Sequence, residues 1–213
     1  FDFQPPPDVE SGGRRWREQK APGRPIWVAG STHDGEEAMI LDAHRRVLDR
    51  FPDALLLLVP RHPQRFDAVR DLLVKRGESF ANRSSGSAIS QTAGVMLGDT
   101  MGELMMFYAA ADVAFVAGSL VPIGGHNLLE PASIGRPVLT GPHNFHSEEI
   151  AQLLLDAGAA RIVTDTGQLA NEVAGLLGDA RLRESMGAAG KAVLDANRGA
   201  LDRLLTLVDP LLE

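Results

Sequence analysis

Residues 112–142 read DVAFVAGSLVPIGGHNLLEPASIGRPVLTGP, and this stretch decides the fold. Residues 113–117 are a short apolar run with β-branched and aromatic members, the pattern of a buried strand. Gly118 and Ser119 break the run, and Gly124 and Gly125 end a flexible loop. A helix is predicted from Asn127 to Ile134, stopped by Gly135. Residues 137–140 begin the next strand. The unit is therefore strand, glycine loop, helix, strand, and its helix starts at the carboxyl end of a strand. Free N–H groups and the helix dipole favour an anion there, at the edge where open α/β sheets bind ligands. Glu130 stands one turn in, on the side of Asn127. Such a site suits a nucleotide, with phosphate on the N–H groups and ribose hydroxyls on the carboxylate. Asn127-x-x-Glu130 also reads as a capping box. The two glycines before it favour the ligand, because close approach of a ligand to backbone needs residues without side chains.

Strands alternate with helices on both sides of this unit. Strands are predicted at residues 26–29, 54–59, 79–81, 93–97 and 161–163, and helices at 36–50, 64–76 and 103–111. A further helix, capped by Ser147, ends at Gly158. The run ALLLLV at 54–59 has the unbroken apolarity of a strand buried on both faces of a parallel sheet. Alternation of this kind predicts an α/β fold, a Rossmann-like doubly wound parallel sheet of about six strands. Residues 1–25, rich in Pro, Gly and charge, read as an entry linker. Within them Arg14, Arg15, Arg17 and Lys20 surround Trp16, the pattern of a solvated basic face with one anchoring aromatic. Residues 26–165 are expected to form one Rossmann-like domain carrying that nucleotide-type site. Residues 166–213 form helices (166–177, 180–196 and 201–212) that pack on it.

Composition removes several function classes. The 213 residues carry a net charge of −7, which argues against a nucleic-acid partner bound by bulk electrostatics. With no cysteine there is no disulfide framework, thiol chemistry or Cys-based zinc site. No apolar run is long enough to span a bilayer. The chain opens on Phe1 with no signal peptide, as a processed chain or a piece of a longer one does. Gly-x-Gly-x-x-Gly, P-loop and Gly-x-Ser-x-Gly patterns are absent, and no cofactor is expected. His143 and His146 stand three apart but lack carboxylate partners, so no metal site is expected either.

Three loops leave predicted strands on the same sheet edge: Pro60-Arg61-His62, residues 99–103, and residues 118–127. Arg61 offers a fixed cation for phosphate, Gly102 lets backbone approach a base or sugar, and His126 and Asn127 offer donors. Each is weak alone. Together they predict a nucleotide-type ligand.

The segment SLVPIGGHNLLEPA (119–132) resembles the signature of the 3-deoxy-D-manno-octulosonate (Kdo) transferases, the lipid A glycosyltransferases of Gram-negative bacteria. WVAGSTHDGEE (27–37), VPRHPQRF (59–66), GDTMGEL (98–104) and GPHNF (141–145) follow in that family's order. The resemblance covers about residues 1–165 well and the tail loosely. It departs at Gln64, where the family commonly has Glu, and at Ala117, where it has Gly.

The resemblance implies the C-terminal, donor-binding half of a two-domain GT-B-type glycosyltransferase. It implies CMP-Kdo as donor, a lipid A precursor as acceptor, and inversion at the anomeric carbon. The full-length protein would work at the cytoplasmic face of the bacterial inner membrane, touching the membrane surface, with this fragment soluble. Carried over, the CMP contacts are Pro60, Arg61, Met101, Gly102, Glu103, Asn127, Leu128, Leu129 and Glu130. Ser31, Thr32, Gly125 and His126 lie on the phosphate or Kdo side. No catalytic base is expected here, since the family's belongs to the N-terminal half, so this chain alone should transfer nothing. Two other readings stay open. One is a donor domain for a UDP-sugar, in another GT-B enzyme or an epimerase. The other is a non-catalytic Rossmann-like module.

Overall fold

The computed structural model describes residues 3–86 and 88–198. Helix α1 spans Val9–Lys20, and strand β1, Ile26–Thr32, leads into helix α2, Glu36–Leu48. Strand β2 (Leu55–Pro60) is followed by helix α3 (Phe66–Lys75), then β3 (Phe80–Asn82) and β4 (Val95–Leu97). Helix α4 (Leu104–Ala110) feeds β5 (Val113–Val116), and α5 (Leu129–Ser133) connects it to β6 (Val138–Thr140). Helix α6 (Glu148–Asp156), strand β7 (Ala160–Ile162) and helices α7 (Thr166–Gly178) and α8 (Ala180–Asn197) complete the described chain. The predicted helix over residues 201–212 lies outside the described residues.

Among the described residues the seven strands form one sheet in the order β3-β4-β2-β1-β5-β6-β7. Every adjacent pair is parallel. The chain moves outward from β1 to one side through β4, then returns to place β5 on the other. The switch point is therefore between β1 and β5. All residues of β1, β2 and β5 are buried, which is why these segments read as continuous apolar runs. Alternation along β1 feeds two core layers: Ile26 and Val28 enter one, Trp27 and Ala29 the other.

Residues 1–25 are not simply a linker. Helix α1 packs on α4, with Trp16 edge-on to Phe107 at 5.8 Å between ring centroids. Gly13 makes the contact, since a Cβ there would sit 2.5 Å from the Ala109 Cβ and 2.7–2.8 Å from the adjoining backbone. Arg17 donates two hydrogen bonds of 2.9 Å to the Asp112 carboxylate. One of the glycines that suggest a flexible entry, Gly13, is instead a packing notch. Helix α7 packs against α2 and α8 against α5. Ser147 occupies the N-cap position of α6, but its side chain makes no capping bond and its hydroxyl is buried without a partner.

Candidate functional site

A cavity of about 300 Å³ opens at the carboxyl edge of the sheet, lined by Ser31, Pro60, Arg61, Met101, Gly102 and Glu130 among others. A second, of about 180 Å³, adjoins it and adds Tyr108, His126 and Asn127, while sharing Ser31, Arg61 and Glu130. The loops after β2, β4 and β5 thus converge as the three-loop pattern predicts.

Local geometry explains each contribution. The β1–β2 register slips between Gly30 and Thr32, and Ser31 sits at this irregularity with φ 60°. A bulge re-aims a side chain, and here it turns Ser31 to the cavity. Thr32 faces the other way, fully buried, with its hydroxyl donating 3.2 Å to Glu37 Oε1. Arg61 is anchored through its backbone N–H, which donates 3.0 Å to the Thr32 carbonyl, and its side chain is exposed to the cavity. Gly30 clears the floor, because a Cβ there would lie 2.3 Å from the Tyr108 Oη. Burial, and then the Glu130 charge, push the Tyr108 phenol well above its ordinary pKa, so it stays a protonated donor.

Glu130 is half-buried, and among the described residues no group donates a hydrogen bond to its carboxylate. Burial raises its pKa, while the Arg61 guanidinium pulls it back down. A carboxylate desolvated without partners is in a costly state that ligand hydroxyls would relieve.

Several predicted contacts fall differently. Helix α5 has five residues and starts at Leu129, not at Asn127. So short a helix has little aligned dipole to offer an anion, so the charge there comes from Arg61. Leu128, not Asn127, is the N-cap residue; Asn127 precedes it and accepts 3.1 Å from the Leu129 N–H in an Asx turn, and Glu130 does not reach back to complete a capping box. Leu128 and Leu129 are buried in the core. The Glu103 carboxylate is already held by Arg83 at 2.7 Å and by the Thr100 hydroxyl.

The glycine pair makes room for the chain itself and not for a ligand. A Cβ on Gly124 would meet His146 Nδ1 at 2.5 Å, and one on Gly125 would meet Asn144 Oδ1 at 2.6 Å. Both glycines have positive φ, 111° and 75°. Thr32 and Gly125 line neither cavity. Among the described residues no cluster of three metal-ligating side chains occurs, His143 and His146 included.

The sequence reading passes over Glu36. This side chain is fully buried at the start of α2. Its Oε1 accepts from Ser119 N–H at 3.0 Å and Leu120 N–H at 2.9 Å. Its Oε2 accepts from Gly118 N–H at 2.7 Å and His33 N–H at 3.2 Å. Four backbone donors from two loops close on one carboxylate at the switch point, fixing the loop that carries His126 and Asn127. An acidic pair opening a helix is ordinary dipole matching in sequence, and nothing in Glu36-Glu37 signals this burial. Neighbouring Glu37 is also buried, and burial raises its pKa against its own backbone bond and the Arg65 charge.

A parallel, doubly wound sheet with a nucleotide-sized cleft at its switch point is the fold of the donor half of GT-B-type glycosyltransferases. No family model matches the chain. A 3-deoxy-D-manno-octulosonic acid transferase of Haemophilus influenzae is 49% identical over 191 residues, 89% of this chain and 45% of that protein. The transferase of the same name from Bordetella pertussis is 38% identical over 98% of this chain and 49% of its own length. Among solved structures, the C-terminal CMP-Kdo-binding domain of WaaA from Acinetobacter baumannii superposes with a TM-score of 0.83. It is 33% identical, and the match covers 87% of this chain and 97% of that one. The chain belongs to the 3-deoxy-D-manno-octulosonic acid transferase family and corresponds to its C-terminal domain. It spans about half the length of the curated relatives it matches.

Proposed function

We propose that this chain binds the CMP moiety of CMP-Kdo and presents the sugar for transfer to a lipid A precursor. The observation that carries this reading is the convergence of Arg61, Met101-Gly102 and Glu130 on one cavity, in a chain 33% identical to a CMP-Kdo-binding domain. The phosphate lies against Arg61, with Ser31 and Asn127 as neutral donors. The ribose hydroxyls donate to Glu130, and exposed Met101 with open Gly102 leaves a flat apolar surface for the base. Pro60 closes the side nearest β2. Glu103, Leu128 and Leu129 contribute backbone and support, not side-chain contacts, and Thr32 and Gly125 hold the loops in place.

Catalytic help from this chain is electrostatic. A preorganised cation at the phosphate stabilises charge that develops as CMP departs. The base that takes the acceptor proton, the acceptor site and the contact with the cytoplasmic face of the inner membrane belong to a second half of the protein. Transfer inverts the anomeric centre. Among the described residues no helix is long and apolar enough to cross a membrane.

Calorimetric titration with CMP, UMP and AMP tests the assignment. CMP should bind tightest of the three, and no Kdo transfer should be seen with this chain alone. A preference for UMP would move the protein to UDP-sugar chemistry, and equal or absent binding of all three would sink the nucleotide reading.

A further inference from the structure

His126 lines the smaller cavity, and His33 stands directly behind it, in contact with its ring. His33 follows β1 and His126 precedes α5. Their Nε2 atoms lie 2.9 Å apart, with the ring planes within 11° of each other and the centroids 5.0 Å apart. Gly118 makes the room: with φ 71°, a Cβ there would lie 2.9 Å from His126 Cδ2 and Nε2. Glu36 holds both the His33 and the Gly118 backbone N–H groups. One carboxylate therefore sets both halves of the pair. His62 stands edge-on to His33 at 5.5 Å.

Two imidazole nitrogens at this separation share one hydrogen. One ring donates Nε2–H and is left with a bare Nδ1, and the other accepts and keeps its proton on Nδ1. A further proton enters at the bare Nδ1 without breaking the shared bond. Among the described residues no group bonds to either Nδ1. The charged and titratable groups around the pair are Arg61, Arg65, His62, His146 and Glu36. Arg65 is bonded to Asp34 and Glu37, and Glu36 is saturated by backbone N–H groups. Burial first, then His33, Arg61, His62 and His146, push His126 down to about 4. Burial likewise lowers His33, opposed by Glu36. A phosphate beside Arg61 and His126 offsets this positive field and favours protonation.

We propose that the His33–His126 pair takes up one proton from solvent when a phosphate ester seats beside Arg61, and holds that proton against the phosphate. The proposal rests on the donor-nucleotide reading. It also gives the pair a role in transfer. The sugar–phosphate C–O bond breaks with its electron pair on the phosphate oxygen. The acceptor hydroxyl makes the new C–O bond and gives its proton to a base. The departing monophosphate gains one negative charge, and the protonated pair already faces it with one positive charge. His126 is then a contact to the leaving group and His33 the positioning residue that shares its hydrogen.

The test is calorimetry of this chain with cytidine 5′-methylphosphate, a diester with no group titrating near neutrality. Titrations run in buffers of different ionisation enthalpy across the neutral and alkaline range. Uptake of about one proton per ligand near neutrality is expected, with affinity falling about tenfold per pH unit across that range and levelling off once the pH exceeds the pKa of the bound pair. His33→Gln and His126→Gln should still bind the ligand but take up none. Ring nitrogen-15 spectra of the wild type provide a readout that needs no variant to fold: imidazolium signals from His33 and His126 should appear only in the complex. Binding with no proton uptake, or uptake that survives both variants, would overturn the inference while leaving the nucleotide reading intact. Failure of both the diester and CMP to bind would overturn the two together.

Discussion

Helix α2 and the cavity rim both put polar groups in poorly solvated places, yet they have opposite fates. On α2, Glu36 and His44 are almost completely buried, and each is fully partnered. Glu36 takes four backbone N–H groups. His44 accepts from Trp27 Nε1–H at 3.0 Å on Nδ1, and so carries its proton on Nε2, which donates 2.8 Å to the Gly94 carbonyl. On the rim, Arg61 and Glu130 face a cavity, and Glu130 accepts nothing from the described residues. A polar group whose bonds are filled by its own chain stabilises one loop arrangement. A polar group left short of partners is ready for a ligand. Residue type does not separate Glu36 from Glu130; the count of donors around each carboxylate does.

This contrast breaks if the α2 groups turn out dispensable for folding, or the rim groups necessary for it. The largest effect should come from Glu36→Ala, which strands four backbone donors, two of them fully buried. It should cost about 3–5 kcal/mol in urea unfolding, and CMP binding should fall with it. Next is the wild type's own response to acid. Burial lowers His44 from 6.5 to about 4, against its bond to the Gly94 carbonyl. The unfolded chain therefore binds this proton more readily than the folded one. Stability is complete above pH 6.5 and falls as pH drops towards 4, by about 3 kcal/mol. His44→Gln should flatten that part of the stability–pH curve.

On the rim, Arg61→Ala should weaken CMP about thirtyfold, the loss of a charge-assisted contact of about 2 kcal/mol, and leave the melting temperature unchanged. Glu130→Gln should weaken CMP about tenfold by calorimetry while holding or raising stability, since it removes a desolvated charge. Asn127→Ala lies between the two classes. Loss of its bond to the Leu129 N–H should cost about 0.5–1 kcal/mol of stability, with a small further loss of CMP affinity.

How far the sequence carries depends on what each segment signals. The apolar runs at 26–29, 54–59 and 113–117 are strands because both faces of the central sheet are covered, and such runs need no alternation to be recognised. The short strands β3, β4 and β7 carry weaker signals, and the sheet has seven strands where about six were expected. Helix α1 is hidden by Gly12 and Gly13. In isolation these disfavour a helix, but contact with α4 requires a residue without a Cβ at Gly13. The three converging loops were legible because parallel topology sends them all to one edge. Which of their residues face the cavity was not. Thr32 and Gly125 differ from Ser31 and His126 only by a bulge and a self-packing turn. The His33–His126 pair joins residues 93 positions apart, a distance over which no local pattern speaks.

The clamp at Glu36 leaves the neighbouring loop an unusual freedom. It grips residues 118–120 by main-chain N–H groups alone, so it is blind to the side chains they carry. Two positions there are nonetheless fixed in identity: Gly118, whose left-handed backbone and missing Cβ admit the histidine pair, and Ser119, whose buried hydroxyl donates to the Val116 carbonyl and accepts from the Gly141 N–H. The exposed tip beyond, Pro122 and Ile123, can exchange side chains while His126 and Asn127 stay where they are. The domain thus separates the part of its loop that can drift from the part that must hold still, and one carboxylate from a different helix draws the boundary.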